Sequence, residues 1–266
     1  MRVLLLSGSH PRHSFVHSEF FNHASEIAAI VMQRESLMPE PPAGTSGHDS
    51  DLFKKHFTDR SSLENSIFGT QSVDDTYKDI NTYNCSPSSL NSSQTADFAL
   101  SFKPDIAFIF GTDIIKPPLL DVLPPNTINL HLGLSPWYRG SATLFWPFYF
   151  LQPQFCGATF HKILLEADAG DILHQFATEL KPADAIHDVG VRTVVQARDE
   201  LRKLLSSVSR WEYSKQKTSG RLFLTKDFQP SHLRLIYDTF ENKIVHHYLN
   251  GLFDKRLPKI ITASAI

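Results

Sequence analysis

The chain predicts an α/β fold: a Rossmann-like, mostly parallel sheet through about residue 207, then a small C-terminal strand-helix appendage over 208–266. Three observations carry this expectation. The chain opens as strand, helix, strand, with apolar runs at 3–6 and 27–32 around an amphipathic segment, the start of a parallel sheet. Further strand-like segments recur at 106–110, 127–131 and 158–163, with a helical stretch within 141–150 between the last two. The composition, 41% hydrophobic and 20% charged, is that of a globular protein with ample core.

In order, residues 3–6 predict a buried strand running into Ser7-Gly8-Ser9-His10-Pro11, then an amphipathic segment over 14–25 and a second strand over 27–32. Residues 39–50, rich in Pro, Gly and Ser, predict a loop. Apolar residues at helical intervals over 51–69, stopping at Gly69, predict a helix. A Ser- and Asn-rich stretch over 84–95 predicts a mobile loop, followed by a short helix over 96–102 and a strand over 106–110. Next come a strand over 127–131, a helix within 141–150, strands over 158–163 and 171–178, and a long helix over 186–207 with Asp184 as its N-cap. Residues 220–228 alternate like a strand, and Ser231 heads a helix to Asn250-Gly251.

A net charge of −2 argues against nucleic acid as the main partner, but the charge is uneven. Residues 201–266 hold 12 Lys/Arg against 5 Asp/Glu, a net of +7, and residues 1–200 carry −9. Such a segment suits a phosphate-bearing substrate, or is simply a solvated surface; both readings stay open. Two cysteines far apart, Cys85 and Cys156, predict a reducing compartment without a disulfide framework or zinc site. The apolar run at 3–6 is too short for a signal peptide, and no run reaches the length of a membrane helix, so a cytoplasmic setting is expected.

The chemistry concentrates around Thr127-Ile-Asn129-Leu-His131-Leu-Gly133. On a strand, Asn129 and His131 share a face while Leu130 turns into the core. An amide donor and a titratable imidazole then stand side by side. Ser135-Pro136-Trp137-Tyr138-Arg139-Gly140 follows, and Asp168-Ala-Gly-Asp171-Ile-Leu brings a carboxylate from a later segment. Polariser, proton-handling group and orienter together suit acyl transfer. A metal site would call for a second histidine or cysteine at ligand spacing; His161 is the only candidate, so no metal is expected.

This ensemble resembles the 10-formyltetrahydrofolate-dependent formyltransferases, which include glycinamide ribonucleotide, methionyl-tRNA and nucleotide-amino-sugar enzymes. The resemblance spans roughly residues 100–200. It implies the formyltransferase fold and transfer of a formyl group from 10-formyltetrahydrofolate to a small amine. It assigns Asn129 to the formyl oxygen, His131 to oxyanion stabilisation or proton relay, and Asp168 to orienting the imidazole. It implies that Phe110, Gly111, Ile114 and Ile115 wall the pterin and that the main chain at Leu165, Glu166 and Ala167 reads its polar edge; each apolar residue alone reads as plain core. Ser7-Gly8-Ser9 falls where the glycinamide ribonucleotide enzymes hold a phosphate, but continues His-Pro-Arg-His instead of Gly-Ser-Asn, so a complete phosphate cradle is not expected. Ser9, His10, Arg12 and His13 either face the acceptor or form a polar loop, and Arg139 either pins its loop or meets a substrate anion. The tail of about 55 residues is short for the basic barrel of tRNA formyltransferases and favours the nucleotide-sugar branch, whose short appendage sometimes serves dimerisation, so a homodimer is expected by analogy. Trp211, Tyr213, Phe223 and Phe228 are candidates for a nucleobase slot there. A tRNA formyltransferase, a 10-formyltetrahydrofolate hydrolase and a folate-binding scaffold without chemistry are the alternatives.

Overall fold

Strand β1 (Arg2–Gly8) lies in the middle of the sheet, which is why its residues from Val3 onward are apolar or small and buried. A computed structural model describes residues 1–70, 73–217 and 220–263. After β1 come α1 (Pro11–His17), β2 (Glu26–Met32), α2 (Gly47–Phe68), α3 (Val73–Thr76) and β3 (Asn81–Cys85). Then follow α4 (Ser93–Phe102), β4 (Ile106–Phe110), α5 (Leu119–Val122), β5 (Thr127–His131), β6 (Tyr138–Gly140) and α6 (Trp146–Tyr149). Strands β7 (Gly157–Lys162) and β8 (Ile172–Ala177), helix α7 (Ile186–Leu205), β9 (Arg221–Phe223) and α8 (Ile244–Leu249) complete the order.

The main sheet runs β3-β2-β1-β4-β5-β7-β8. Its first five strands are parallel; β7 runs antiparallel to both β5 and β8. Alternate residues of β1 serve opposite layers. Val3 and Leu5 pack with Val194, Ala197 and Leu201 of α7, whereas Leu4 and Leu6 pack with Ala99 and Phe102 of α4. A third cluster joins Leu52 and Phe53 of α2, Trp146 of α6 and Ile186 of α7 to Phe223, Leu233, Ile236 and Val245. The C-terminal segment therefore shares a core with the sheet domain. No described helix is long and apolar enough to cross a membrane.

Several elements differ from expectation. The first helix starts earlier, with Pro11 at its first position, where a missing N–H costs nothing, and gives way to a 3-10 turn at Ser18–Asn22. Helix α2 begins at Gly47 because Ser46 caps it. Asn84 and Cys85 belong to the edge strand β3, whose polar sequence hides it, and α4 starts at Ser93 behind Ser92, whose Oγ accepts the Thr95 N–H at 3.3 Å. The helix expected within 141–150 shrinks to four residues. Ala185, not Asp184, caps α7: Asp188 accepts the Ala185 N–H at 2.9 Å, while Asp184 binds Arg192 through two bonds of 2.6 and 2.7 Å. Only Arg221–Phe223 of the predicted 220–228 strand is extended in pairing. The helix expected after Ser231 breaks where Glu241 and Asn242 take φ of +49° and +59°.

Candidate active site

Strand β5 delivers two of the three expected groups. Alternation along Thr127–His131 buries Ile128 and Leu130 and turns Asn129 and His131 into a cleft of about 810 Å³. The cleft sits beyond the carboxyl ends of β1, β4 and β5. There the chain's connections diverge to either side of the sheet, the usual place for a ligand in an open α/β fold.

Asp168 enters from the connection between β7 and β8, with φ of +50°. Its Oδ2 lies 3.3 Å from His131 Nδ1 and accepts the Gly140 N–H at 2.8 Å; its Oδ1 lies 3.4 Å from His161 Nε2. Burial alone would raise the carboxyl, but its interactions with the His131 and His161 rings and the Gly140 N–H outweigh it. Asp168 is held well below the usual carboxylate range. For His131 burial also comes first, and here it prevails: the imidazole pKa is lowered although Asp168 and the Tyr138 carbonyl pull it upward. The ring is therefore neutral at pH 7. Its Nε2–H donates to the Tyr138 carbonyl at 2.9 Å, leaving Nδ1 as the basic nitrogen beside Asp168.

His161 joins the group through the antiparallel register, which sets it opposite Asn129. Its Nδ1–H donates to the Lys162 carbonyl at 2.7 Å, so Nε2 can accept an Asn129 amide N–H at 3.1 Å. An amide has two N–H donors, so one remains for a ligand in the cleft that Asn129 lines. Gly170 is obligatory beneath this network, since a Cβ there would stand 1.7 Å from the Lys162 carbonyl oxygen. Chemically, the arrangement can polarise a carbonyl oxygen through Asn129 and take up a proton on an imidazole whose cation Asp168 stabilises. Among the described residues, no group of three or more His, Cys, Asp and Glu side chains is placed to hold a metal ion.

Of the expected pterin wall, Phe110, Gly111, Ile114, Ile115 and Ala167 line the cleft. Leu164 lines it too, while Leu165 and Glu166, expected to act through their main chain, are not among the lining residues; Leu165 is 62% exposed and the Glu166 side chain turns to Arg139. Arg139 is buried and holds Glu166 at 2.9 Å, the geometry of a loop pin rather than of a group facing the cleft. Arg12 and His13 line the cleft, and Ser9 and His10 are not among its lining residues. The Ser9 Oγ accepts the Arg34 N–H at 3.4 Å, and His10 lies 3.4 Å from Glu64 with its pKa lowered to about 3 by burial and by Arg12 and Arg60.

A side chamber of about 270 Å³ shares Arg12, Leu132 and Thr143 with the cleft and is lined further by His56, Arg60, Glu64 and His187. The four aromatics proposed for a nucleobase slot do not converge. Trp211 donates to the Leu204 carbonyl, Tyr213 lies under Lys162, Phe223 stacks on Trp146, and Phe228 lines the side chamber. Sequence reading missed His161 as a site member, because only the β5–β7 register places it there. It also missed Arg60, Glu64 and His187, which become neighbours only when α2 packs on α7.

Comparison with known proteins gives a concordant result. The family described as formyl transferase matches residues 64–205. An N-formyltransferase from Helicobacter canadensis, solved with folinic acid and dTDP-3-aminofucose, superposes with a TM-score of 0.59 at 17% identity, covering 86% of this chain and 73% of that one. A sugar N-formyltransferase from Shewanella sp FDAARGOS_354 gives 0.56 at 16%, covering 86% and 78%. Glycinamide ribonucleotide transformylase 1 from Symbiobacterium toebii gives 0.54 at 14%, covering 82% and 94%. At such identities the likeness to these structures is one of fold.

Proposed function

The chain belongs to the formyl transferase family, and from that premise we propose that it moves the formyl group of 10-formyltetrahydrofolate to the amine of a nucleotide-linked amino sugar. The neutral amine attacks the formyl carbon, the bond from that carbon to N10 breaks, and tetrahydrofolate leaves with the proton the amine gives up. The observation that carries this reading is the meeting of Asn129, His131 and Asp168 in one cleft, with His131 Nδ1 3.3 Å from the Asp168 carboxylate. Asn129 donates to the oxygen as it becomes an oxyanion. His131 Nδ1 takes the proton from the attacking nitrogen, and Asp168 stabilises the imidazolium until the proton passes to N10.

The pterin lies against Phe110, Gly111, Ile114 and Ile115, with the backbone near Ala167 at its polar edge. Arg12 faces the acceptor at the mouth of the side chamber, while Ser9, His10 and Arg139 support the loops behind it. The acceptor class is supported by the fold shared with the Helicobacter canadensis and Shewanella enzymes. The reading includes a cytoplasmic setting, in keeping with two free, buried cysteines, and a homodimer, for which sedimentation is the test.

Tetrahydrofolate release is measured with and without a panel of nucleotide-linked amino sugars, for wild type and His131→Ala. Amine-dependent turnover, lowered about 10²–10⁴-fold in the variant, is expected for a group that handles the proton. Amine-independent formate release would move the assignment to a hydrolase, and folate binding without turnover would leave a scaffold.

A further inference from the structure

The three-residue strand β6 holds both catalytic partners of the reading above. The Tyr138 carbonyl accepts the His131 Nε2–H at 2.9 Å, and the Gly140 N–H donates to Asp168 Oδ2 at 2.8 Å. The first bond selects the ring tautomer and the second aims the carboxylate. Yet β6 lies outside the main sheet. Its one strand partner among the described residues is β9, more than eighty positions later and beyond the span matched by the family.

The contact between these strands is close and specific. Gly140 pairs with Phe223, and the next amide, Ser141 N–H, donates to the Phe223 carbonyl at 2.8 Å. Gly140 has φ of +90°, and a Cβ there would stand 2.1 Å from the same carbonyl oxygen. The approach therefore requires glycine on one strand and a fixed carbonyl on the other. The Phe223 side chain is 1% exposed and stacks on Trp146 at 4.6 Å and on Tyr138 at 5.8 Å. Tyr138 is the residue whose carbonyl holds His131.

We propose that β9 is a clamp for the catalytic pair, with Phe223 as a positioning residue that fixes β6 and through it the His131 tautomer and the Asp168 carboxylate. The C-terminal segment is then a working part of the active site. The inference rests on His131 and Asp168 being the groups that act, as proposed above. Phe223 also lines the cleft; the effect assigned to it passes through the backbone of Tyr138 and Gly140, and an unchanged KM is what separates that effect from direct contact with a bound molecule.

The test is a graded series, Phe223→Leu, Phe223→Val and Phe223→Ala, in the full chain. Turnover is read with 10-formyltetrahydrofolate and the amine selected by the panel. The ¹⁵N signals of the His131 ring, assigned by their absence in His131→Ala, are read without any substrate. In wild type the ring should carry its proton on Nε2. Along the series the two nitrogens should average as the tautomer is released, and kcat should fall about 10–100-fold in Phe223→Ala with the KM for the folate nearly unchanged, as an ångström-scale misplacement predicts. Phe223→Leu, the smallest loss of apolar volume in the series, should retain most of both signals and remains informative if Phe223→Ala does not fold. A series that keeps wild-type kcat and a single Nε2–H tautomer overturns the clamp while His131→Ala still abolishes turnover. Wild-type turnover in His131→Ala overturns the clamp together with the catalytic reading.

Discussion

Asp168 combines a left-handed backbone with a carboxylate facing three donors or ring nitrogens, and its pKa is pushed down despite burial. It therefore stays ionised at neutral pH, and on the proposed mechanism acid loss of activity would belong to the imidazole. Asp168→Asn keeps the size of the side chain but removes its charge, which is one of the forces raising the His131 pKa. Turnover should fall by about 10²–10⁴, and the acid limb of the residual kcat profile should shift to lower pH. A limb that stays in place would mean that Asp168 does not act through His131. The legible part of the site at this scale was the same-face pair Asn129 and His131, because strand alternation is fixed by backbone geometry. His161 was visible only as a stray histidine, since nothing local to it encodes a partner 32 residues earlier.

Among the elements, α7 shows how local pattern and packing agree. Val189, Val194, Ala197, Leu201 and Leu204 recur at helical spacing, and all are almost fully buried. Leu201, 1% exposed, lies in the cluster that joins α7 to β1 and is remote from the cleft lining. Leu201→Ala should destabilise by about 2–5 kcal/mol in denaturant unfolding and leave kcat near wild type under native conditions. Strands β1, β2 and β4 were equally legible, because strands buried on both faces read as continuous apolar runs, and β5 was legible by its alternation. Strand β3 was not: Asn81-Thr-Tyr-Asn-Cys85 sits at the sheet edge, pairs on one side, and has little apolar sequence to reveal it. Helix ends were misplaced where the caps depend on particular side chains, as with Asp188 in place of Asp184.

Across the whole molecule, several histidines are buried in neutral form. Burial lowers His10 and His17 to about 3 and His187 to about 4, and lowers His13 and His56 well below the ordinary value. Unfolding releases these rings to titrate near 6.5, so below that pH the unfolded chain binds more protons than the native one. The neutral rings keep their full stability above about pH 6.5. As pH falls from there towards 4, each adds a loss approaching about 1.4 kcal/mol per pH unit. Glu19 and Asp184, whose carboxyls are lowered mainly by arginine partners working against burial, carry the same sign at lower pH. Calorimetry between pH 8 and 4.5 should show Tm nearly flat at first and then falling steeply below about 6.5. A Tm that held or rose towards pH 5 would contradict the neutral burial of these rings.

Residue pattern is enough for the parallel α/β core and for placing Asn129 and His131 on one face. Both follow from periodicities that covalent geometry imposes over a few residues. Tertiary structure alone decided that His161 meets Asn129, that Arg139 turns to Glu166, that α2 and α7 enclose the side chamber, and that Phe223 closes on Gly140. Those contacts join segments distant in the chain. Each forms because the packed whole buries more apolar surface and satisfies more polar groups than either segment could alone, and no local pattern records that balance.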